Sequence, residues 1–234
     1  MNKKVFAVLA ALAVVGAALL YYLYLRPGRS AHGMKVLAFL RDPQAHADWA
    51  VTAGTRCEGA VFAFPTSGFI GYVWDDSFRI GHRHSGLDIF AGTDINVTPV
   101  VAAYDGYLTR LADWKSAVII RIPADPLHPD RQIWTYYAHM ADEQGNSFIS
   151  PQFPPGTVEV FVKAGTLLGY QGDYSGDPLN PVGVHLHFSI VKDDGQGRFT
   201  NETDFQNTYD PSPYFNLRLN SKDNPDEIPV CATH

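Results

Sequence analysis

The hydrophobic pattern divides the chain into an apolar N-terminal run and a longer region of short, separated runs. Residues 5–25 are apolar without interruption, and Arg26 and Pro27 follow them. At about 1.5 Å per residue, a helix over this run is roughly 31 Å long, which matches the hydrocarbon core of a bilayer. We therefore predict a transmembrane signal anchor over residues 5–25, behind a short cytoplasmic tail over residues 1–4. A cleaved secretory signal is the alternative, although its apolar stretch is usually only about 7–15 residues.

Either interpretation places the rest of the chain outside the cytoplasm. An uncleaved anchor leaves the domain in the periplasm or at the cell surface, and cleavage of the run gives a secreted protein. Residues 26–54 carry proline, glycine and mixed polarity. We interpret them as a linker that holds the domain away from the membrane, with a short helix around residues 34–40. The domain itself is expected over residues 55–220, followed by a C-terminal tail over residues 221–234.

The pattern of the domain is typical of an all-β fold. Short β-rich runs alternate with Gly, Pro, Asp and Asn, and long amphipathic helices are missing between them. This spacing predicts a small antiparallel barrel or sandwich. Two proline- and aspartate-containing inserts, at 123–131 and 142–157, are predicted as surface loops. The predicted strands are Leu87–Phe90, Val97–Ala103, Tyr107–Leu111, Ala117–Ile122, Ile133–His139, Val158–Val162, Leu167–Tyr170 and Val184–Val191.

Composition limits the partners and the compartment. The net charge is −6, and no cluster of Lys and Arg offers a surface for nucleic acid. The two cysteines are too few for a disulfide scaffold or a thiolate zinc finger. Cys57 and Cys231 lie near the two ends of the exported region. An intrachain disulfide between them, in an oxidising compartment, and two buried free thiols are both consistent with this placement.

Candidate chemistry lies in the histidines, of which the chain has nine. His185 and His187 are two residues apart in a strand pattern, so that both imidazoles share one face of the sheet. His84 and Asp88 are four residues apart and share a face in a strand or in a helix. His139 ends a further predicted strand. Each pattern by itself is weak evidence for a functional site. The patterns occur together, in order and on predicted β-strands, and this combination indicates such a site.

The set resembles the lysostaphin-type zinc endopeptidases, which cut peptide cross-links of peptidoglycan. The likeness runs from about Thr66 to Tyr214. It implies that His84, Asp88 and His187 bind one zinc ion per chain. It also implies that His139 and His185 lie beside the metal as catalytic groups. The likeness is carried by His84-Ser85-Gly86-Leu87-Asp88-Ile89, Thr98-Pro99-Val100-Val101-Ala102, Asp105-Gly106, Tyr137-Ala138-His139, residues 165–169 and His185-Leu186-His187-Phe188.

General chemistry agrees with this implication. Two imidazoles and one carboxylate occupy three positions of a tetrahedral zinc ion and leave the fourth for water, which is the pattern of a catalytic site. The chain has no His-Glu-x-x-His helix to supply a glutamate base. Histidine, with a pKa near 6.5, is suited both to accept and to donate a proton, so His139 and His185 are each candidates for the general base. His82 is interpreted as an ordinary loop residue. We expect a membrane-anchored metalloendopeptidase that acts on peptidoglycan stem or bridge peptides.

Three alternatives predict different sequences. A catalytically silent relative that binds cell wall or activates another hydrolase is expected to lack a ligand or a catalytic histidine, and this chain keeps them all. A lipoyl- or biotinyl-type carrier needs a lysine at a tight turn, and Lys163 lacks the flanking methionine usual there. A structural or storage zinc site requires a fourth protein ligand, which the sequence does not obviously supply.

Overall fold

Antiparallel β-structure dominates the computed structural model, which describes residues 3–21, 31–77, 81–224 and 226–231. The described helices are α1 (Lys3–Leu20), α2 (Ala31–Arg41) and α3 (Ser212–Phe215), with single 3-10 turns at Ala47–Trp49 and Phe205–Asn207. The described strands are β1 (Ala50–Val51), β2 (Gly68–Tyr72), β3 (Leu87–Phe90), β4 (Pro99–Val101), β5 (Gly106–Thr109), β6 (Val118–Ile122), β7 (Ile133–Ala138), β8 (Val160–Val162), β9 (Leu167–Tyr170), β10 (Leu186–Lys192) and β11 (Thr208–Tyr209).

The strands form two sheets, neither of which is a closed barrel. A 9-stranded sheet has the order β1-β2-β3-β10-β7-β6-β5-β8, with β11 added to β10, and β4 pairs with β9 in a 2-stranded sheet. The predicted mostly-β antiparallel fold is confirmed. The barrel is a wrong expectation for the described part of the chain. The order ends at two short strands, β1 and β8, which do not pair with each other, so the sheet stays open.

The main core lies on one face of the large sheet and shows the alternation expected of strands. Leu87 and Ile89 of β3 and Leu186 and Phe188 of β10 are fully buried in one apolar cluster. Because successive side chains of a strand point to opposite faces, the residues between them, Asp88 among them, point away from this core. The core therefore anchors the two strands that present polar groups on the other face.

A second apolar cluster attaches α2 to the domain. Val36 and Phe39 of α2 are buried against Phe69 of β2 and Phe90 of β3. Residues 31–41 belong to the stretch expected to be a linker, and the short helix expected near residues 34–40 is this helix. The helix is a packed part of the molecule rather than a spacer.

The N-terminal membrane span is not shown by the structure. α1 ends at Leu20, and residues 22–25 of the predicted span lie outside the described residues. Within the residues that are described, none of the helices has both the length and the apolar character needed to traverse a bilayer.

Cys57 and Cys231 form a disulfide across 174 residues of sequence. Of the two alternatives for the cysteines, the intrachain bond is therefore the one observed. It joins the segment between β1 and β2 to the end of the described C-terminal segment. The cross-link encloses nearly the whole β-domain.

Candidate metal centre

Two neighbouring strands bring the predicted ligands together. Asp88 is the second residue of β3 and His187 the second residue of β10. The two strands are antiparallel neighbours, and in their register His187 lies directly opposite Asp88. Directly opposed residues on one face have their Cβ atoms only about 5 Å apart. The side chain of His84 approaches Asp88 and His187 from the loop that precedes β3.

The three donor atoms converge. His84 Nε2 lies 3.0 Å from Asp88 Oδ1 and 3.1 Å from His187 Nδ1. His187 Nδ1 lies 2.9 Å from Asp88 Oδ1. One donor atom of each residue thus faces a common point, within 4.8 Å of the others.

The hydrogen bonds behind His84 show that this group fits a zinc ion. His84 Nδ1 lies 3.0 Å from the carbonyl oxygen of Val73. A carbonyl only accepts, so Nδ1 carries a proton and Nε2 is the nitrogen that faces Asp88 and His187. Metal-binding histidines are commonly fixed in this way by a backbone carbonyl, and two nitrogens with one carboxylate oxygen are donors that zinc accepts.

Charges inside the cluster keep the carboxylate ionised. Burial by itself would raise the pKa of Asp88, but the neighbouring His84, His185 and His187 outweigh it and hold that pKa well below its usual value. Burial likewise opposes the charged form of His84, yet the Asp88 carboxylate raises the pKa of His84. The pKa of His187 is lowered, chiefly by burial. The Asp88 carboxylate is therefore ionised at neutral pH and lies among these imidazoles.

The other two predicted histidines lie beside this cluster. The ring centroids of His139 and His185 are 4.6 Å apart, and that of His139 is 6.1 Å from His187. His139 Nδ1 lies 2.7 Å from the carbonyl oxygen of Tyr174, and His185 Nδ1 lies 3.0 Å from that of Gly183. Each ring therefore donates through Nδ1, and Nε2 of His185 lies 3.5 Å from Asp88 Oδ1.

The backbone aims His139 into the site. β7 ends at Ala138, and His139 has a φ of 71°, in the left-handed region that few residues other than glycine adopt. This turn takes the ring out of the strand's alternation and towards His185. Burial, reinforced by His185 and His187, lowers the pKa of His139 to about 3. His139 is therefore neutral at physiological pH.

All of these groups line one cleft of about 700 Å³. Some of its walls were not predicted from the sequence. His82, interpreted there as a loop residue, lines the cleft with its ring 6.4 Å from that of His84. Tyr136 hydrogen-bonds to Glu202, and burial together with this carboxylate raises the pKa of Tyr136. Tyr136 and Ala138 lie on the same face of β7, so strand alternation could have predicted which way Tyr136 points. No local sequence pattern indicates that Glu202 lies in the cleft. The aromatic members of the lining are Tyr72, Phe90, Trp114, Tyr136 and Tyr174.

Comparisons with known proteins find likeness at the level of solved structures. No family model matches the chain, and no curated protein matches it. The catalytic domain of the antimicrobial peptidase lysostaphin from Staphylococcus simulans is 20% identical, with a TM-score of 0.40, over 62% of this chain and 88% of that one. The longer lysostaphin structure is 19% identical, with a TM-score of 0.39, over 67% of this chain and 50% of that one. A mutant catalytic domain of the prophage-encoded M23 protein EnpA from Enterococcus faecalis is 21% identical, with a TM-score of 0.38, over 62% of this chain and 95% of that one.

Two of these three structures are of lysostaphin, and the third is of an M23 protein. With TM-scores below 0.5, these likenesses carry no weight for the chemistry of the site. The capacity of the site to hold a metal follows from its own donor atoms, their distances and the strand register.

Proposed function

We propose that this protein is a zinc-dependent endopeptidase that hydrolyses peptide bonds of peptidoglycan outside the cytoplasm. The observation that carries the proposal is the convergence of His84, Asp88 and His187 next to the His139–His185 pair on the wall of one open cleft. Three protein donors fit a metal site with an open position, and two further imidazoles supply proton transfer.

The residues divide the work of hydrolysis between them. His84, Asp88 and His187 would hold the ion, which when bound supplies Lewis acidity and a water of lowered pKa. Hydrolysis breaks the C–N bond, adds the water oxygen to the carbonyl carbon and returns a proton to the leaving amine. His139 and His185 each present Nε2 for these proton transfers, because the Nδ1 atom of each is held by a backbone carbonyl. Either ring can serve as the base in this geometry.

The cleft supports a peptide as the substrate class. Its lining is rich in aromatic side chains and contains a few charged groups, among them Lys115, Asp113 and Glu202. Aromatic walls with a small number of polar groups are typical of sites that position an extended organic ligand. Peptidoglycan peptides, rather than other peptides, are proposed because of the ordered sequence motifs that resemble lysostaphin-type endopeptidases.

Attachment to the membrane through residues 5–25 is proposed on the apolar sequence of that run. A location outside the cytoplasm agrees with the Cys57–Cys231 disulfide, since such bonds persist mainly in oxidising compartments. Fractionation of cells that express the full chain tests this. We expect it in the membrane fraction after high-salt and carbonate washes, and recovery in the cytosol would contradict the proposal.

Digestion of purified peptidoglycan tests the proposed function. Full-length protein with zinc is incubated with sacculi of several chemotypes, and the released fragments are identified by mass. We expect products in which each cut peptide bond has gained one water, with His139→Ala as the inactive control. Metal-loaded protein that leaves every type of sacculus intact would favour a catalytically silent wall-binding relative.

A further inference from the structure

A buried hydrogen bond between side chains connects α2 to the loop that carries His84. His32 Nδ1 lies 2.6 Å from Asp76 Oδ2. Both residues are buried, with 5% of His32 and 8% of Asp76 exposed. A buried polar group that loses its hydrogen-bond partner costs free energy, because water does not replace that partner. The contact therefore constrains α2 and the loop together.

The loop that Asp76 belongs to holds His84 on several sides. The backbone N–H of His84 donates to the carbonyl oxygen of Asp76 at 2.8 Å, and the N–H of Asp75 donates to the carbonyl oxygen of His84 at 2.9 Å. The carbonyl oxygen of Val73 accepts from the His84 ring. Residues 73–76 thus fix both the backbone and the imidazole of one predicted metal ligand.

α2 also supports the other side of the centre through an aromatic ring. Val36 and Phe39 pack against Phe90, and the Phe90 ring stacks on His185 with centroids 4.9 Å apart. Gly71 permits this close approach, because a Cβ atom there would lie 2.4 Å from Cγ2 of Val36. The sheet surface is thus shaped to receive this helix.

We propose that α2 is a structural support of the metal centre and that His32 is a positioning residue, which acts through Asp76 to hold His84 in place for metal binding. His32 itself does not line the cleft. The part of the proposal that concerns zinc rests on the proposed function. The support of His84 by α2 is a property of the metal-free protein as well.

Two measurements on the full chain test the proposal. Zinc affinity is determined by competition with a chromophoric chelator, and hydrogen exchange of peptides covering residues 81–86 is followed in metal-free protein. We expect His32→Ala to bind zinc on the order of 10-fold more weakly, as for residues that orient metal ligands, and to exchange faster at residues 81–86. His32→Asn, whose amide nitrogen can take the place of Nδ1, should restore both values to near wild type. If His32→Ala does not fold, Asp76→Ser removes the same pair from the loop side.

Asp125→Asn is the matched control. Asp125 is fully buried and pairs with Arg131 at 2.6 Å, and neither residue lines the cleft. Unchanged zinc affinity in His32→Ala, or an equal loss in Asp125→Asn, would overturn the proposal. Wild-type protein that binds no zinc, together with faster exchange in His32→Ala, would instead reject the proposed function and leave the support of His84 standing.

Discussion

At the scale of single residues, backbone carbonyl groups orient most of the histidines of the cleft. His84, His139 and His185 each place Nδ1 against a carbonyl oxygen. His187 differs, because its Nδ1 faces Asp88. Since a carbonyl cannot donate, Nδ1 of each of these three rings carries a proton, and Nε2 is the nitrogen left for other partners. The protein thereby decides which nitrogen of each ring can meet a metal or a substrate.

Metal content separates the ligands from the other histidines. We expect about one zinc per chain in wild-type protein and little in Asp88→Ala or His187→Ala, because two donors hold zinc far more weakly than three. Measurement by atomic emission on protein of known concentration decides this. Full zinc retention by both variants would show that the ligands lie elsewhere.

Activity distinguishes the two histidines beside the metal site. His139→Ala and His185→Ala should keep the zinc content of wild type while hydrolysis falls by about 10²-fold or more, the usual contribution of general acid–base catalysis. Rates are measured on peptidoglycan with each variant at equal metal content. A variant that retains the wild-type rate has no catalytic part in the reaction.

At the scale of elements, the insert at 142–157 is tied down by a buried arginine. Arg110 donates to the carbonyl oxygens of Trp114 and Phe153 at 3.1 and 3.0 Å and to Ser147 Oγ at 3.0 Å. Phe153 of the insert is itself buried. The insert is therefore an anchored part of the fold, and the arginine joins it to the Trp114 wall of the cleft.

Arg110→Met should loosen this insert. Hydrogen bonds to a charged group are worth about 1.5–3 kcal/mol each, and the variant leaves buried carbonyls without their donor. We expect proteolytic cleavage within residues 142–157 at protease concentrations that spare wild type. Arg198→Met is the control, because Arg198 forms an exposed pair with Asp194. Equal protease resistance of Arg110→Met and wild type would refute the anchoring role.

At the scale of the whole molecule, the disulfide and the metal site act on stability in different ways. The Cys57–Cys231 bond spans 174 residues of sequence and restricts mainly the unfolded chain. The chain-entropy relation gives about 5 kcal/mol for a loop of this size. Ile228, three residues before Cys231, packs against the α2 cluster, so the bond also holds the C-terminal segment over that helix.

Removal of the disulfide should lower the free energy of unfolding by up to about 5 kcal/mol. The double variant Cys57→Ser/Cys231→Ser and reduced wild type are compared by denaturant unfolding. Both should lose a similar amount, and reducing agent should not affect the variant further. Equal stability of oxidised and reduced wild type would contradict this.

Zinc should stabilise the whole fold by mass action. A ligand at about 1,000 times its dissociation constant adds about 4 kcal/mol when it binds only the native state. We expect a higher midpoint of thermal unfolding with zinc than with a chelator. The difference should be abolished in His187→Ala. A zinc effect that persists in this variant would point to binding at other groups.

Local pattern was enough to identify eight of the eleven described strands, and it missed β1, β2 and β11. Alternation along His185-Leu186-His187-Phe188 predicted that the apolar pair faces the core, and Leu186 and Phe188 are fully buried. This succeeds because the direction of a side chain in a strand depends only on its neighbours along the chain. The same local reasoning treated His82 as a loop residue and gave no sign of Glu202, whose place in the cleft depends on distant segments.

The sequence by itself therefore determined the β-character of the domain and which residue types meet the requirements of a zinc site. Only the tertiary structure decided that His187 lies opposite Asp88, that the sheet stays open, that His139 turns out of its strand, and that α2 packs on Phe90 beside the centre. Those outcomes depend on strand register and on packing between segments far apart in the chain. Such pairings are selected by the free energy of the whole fold, which a short stretch of sequence does not determine.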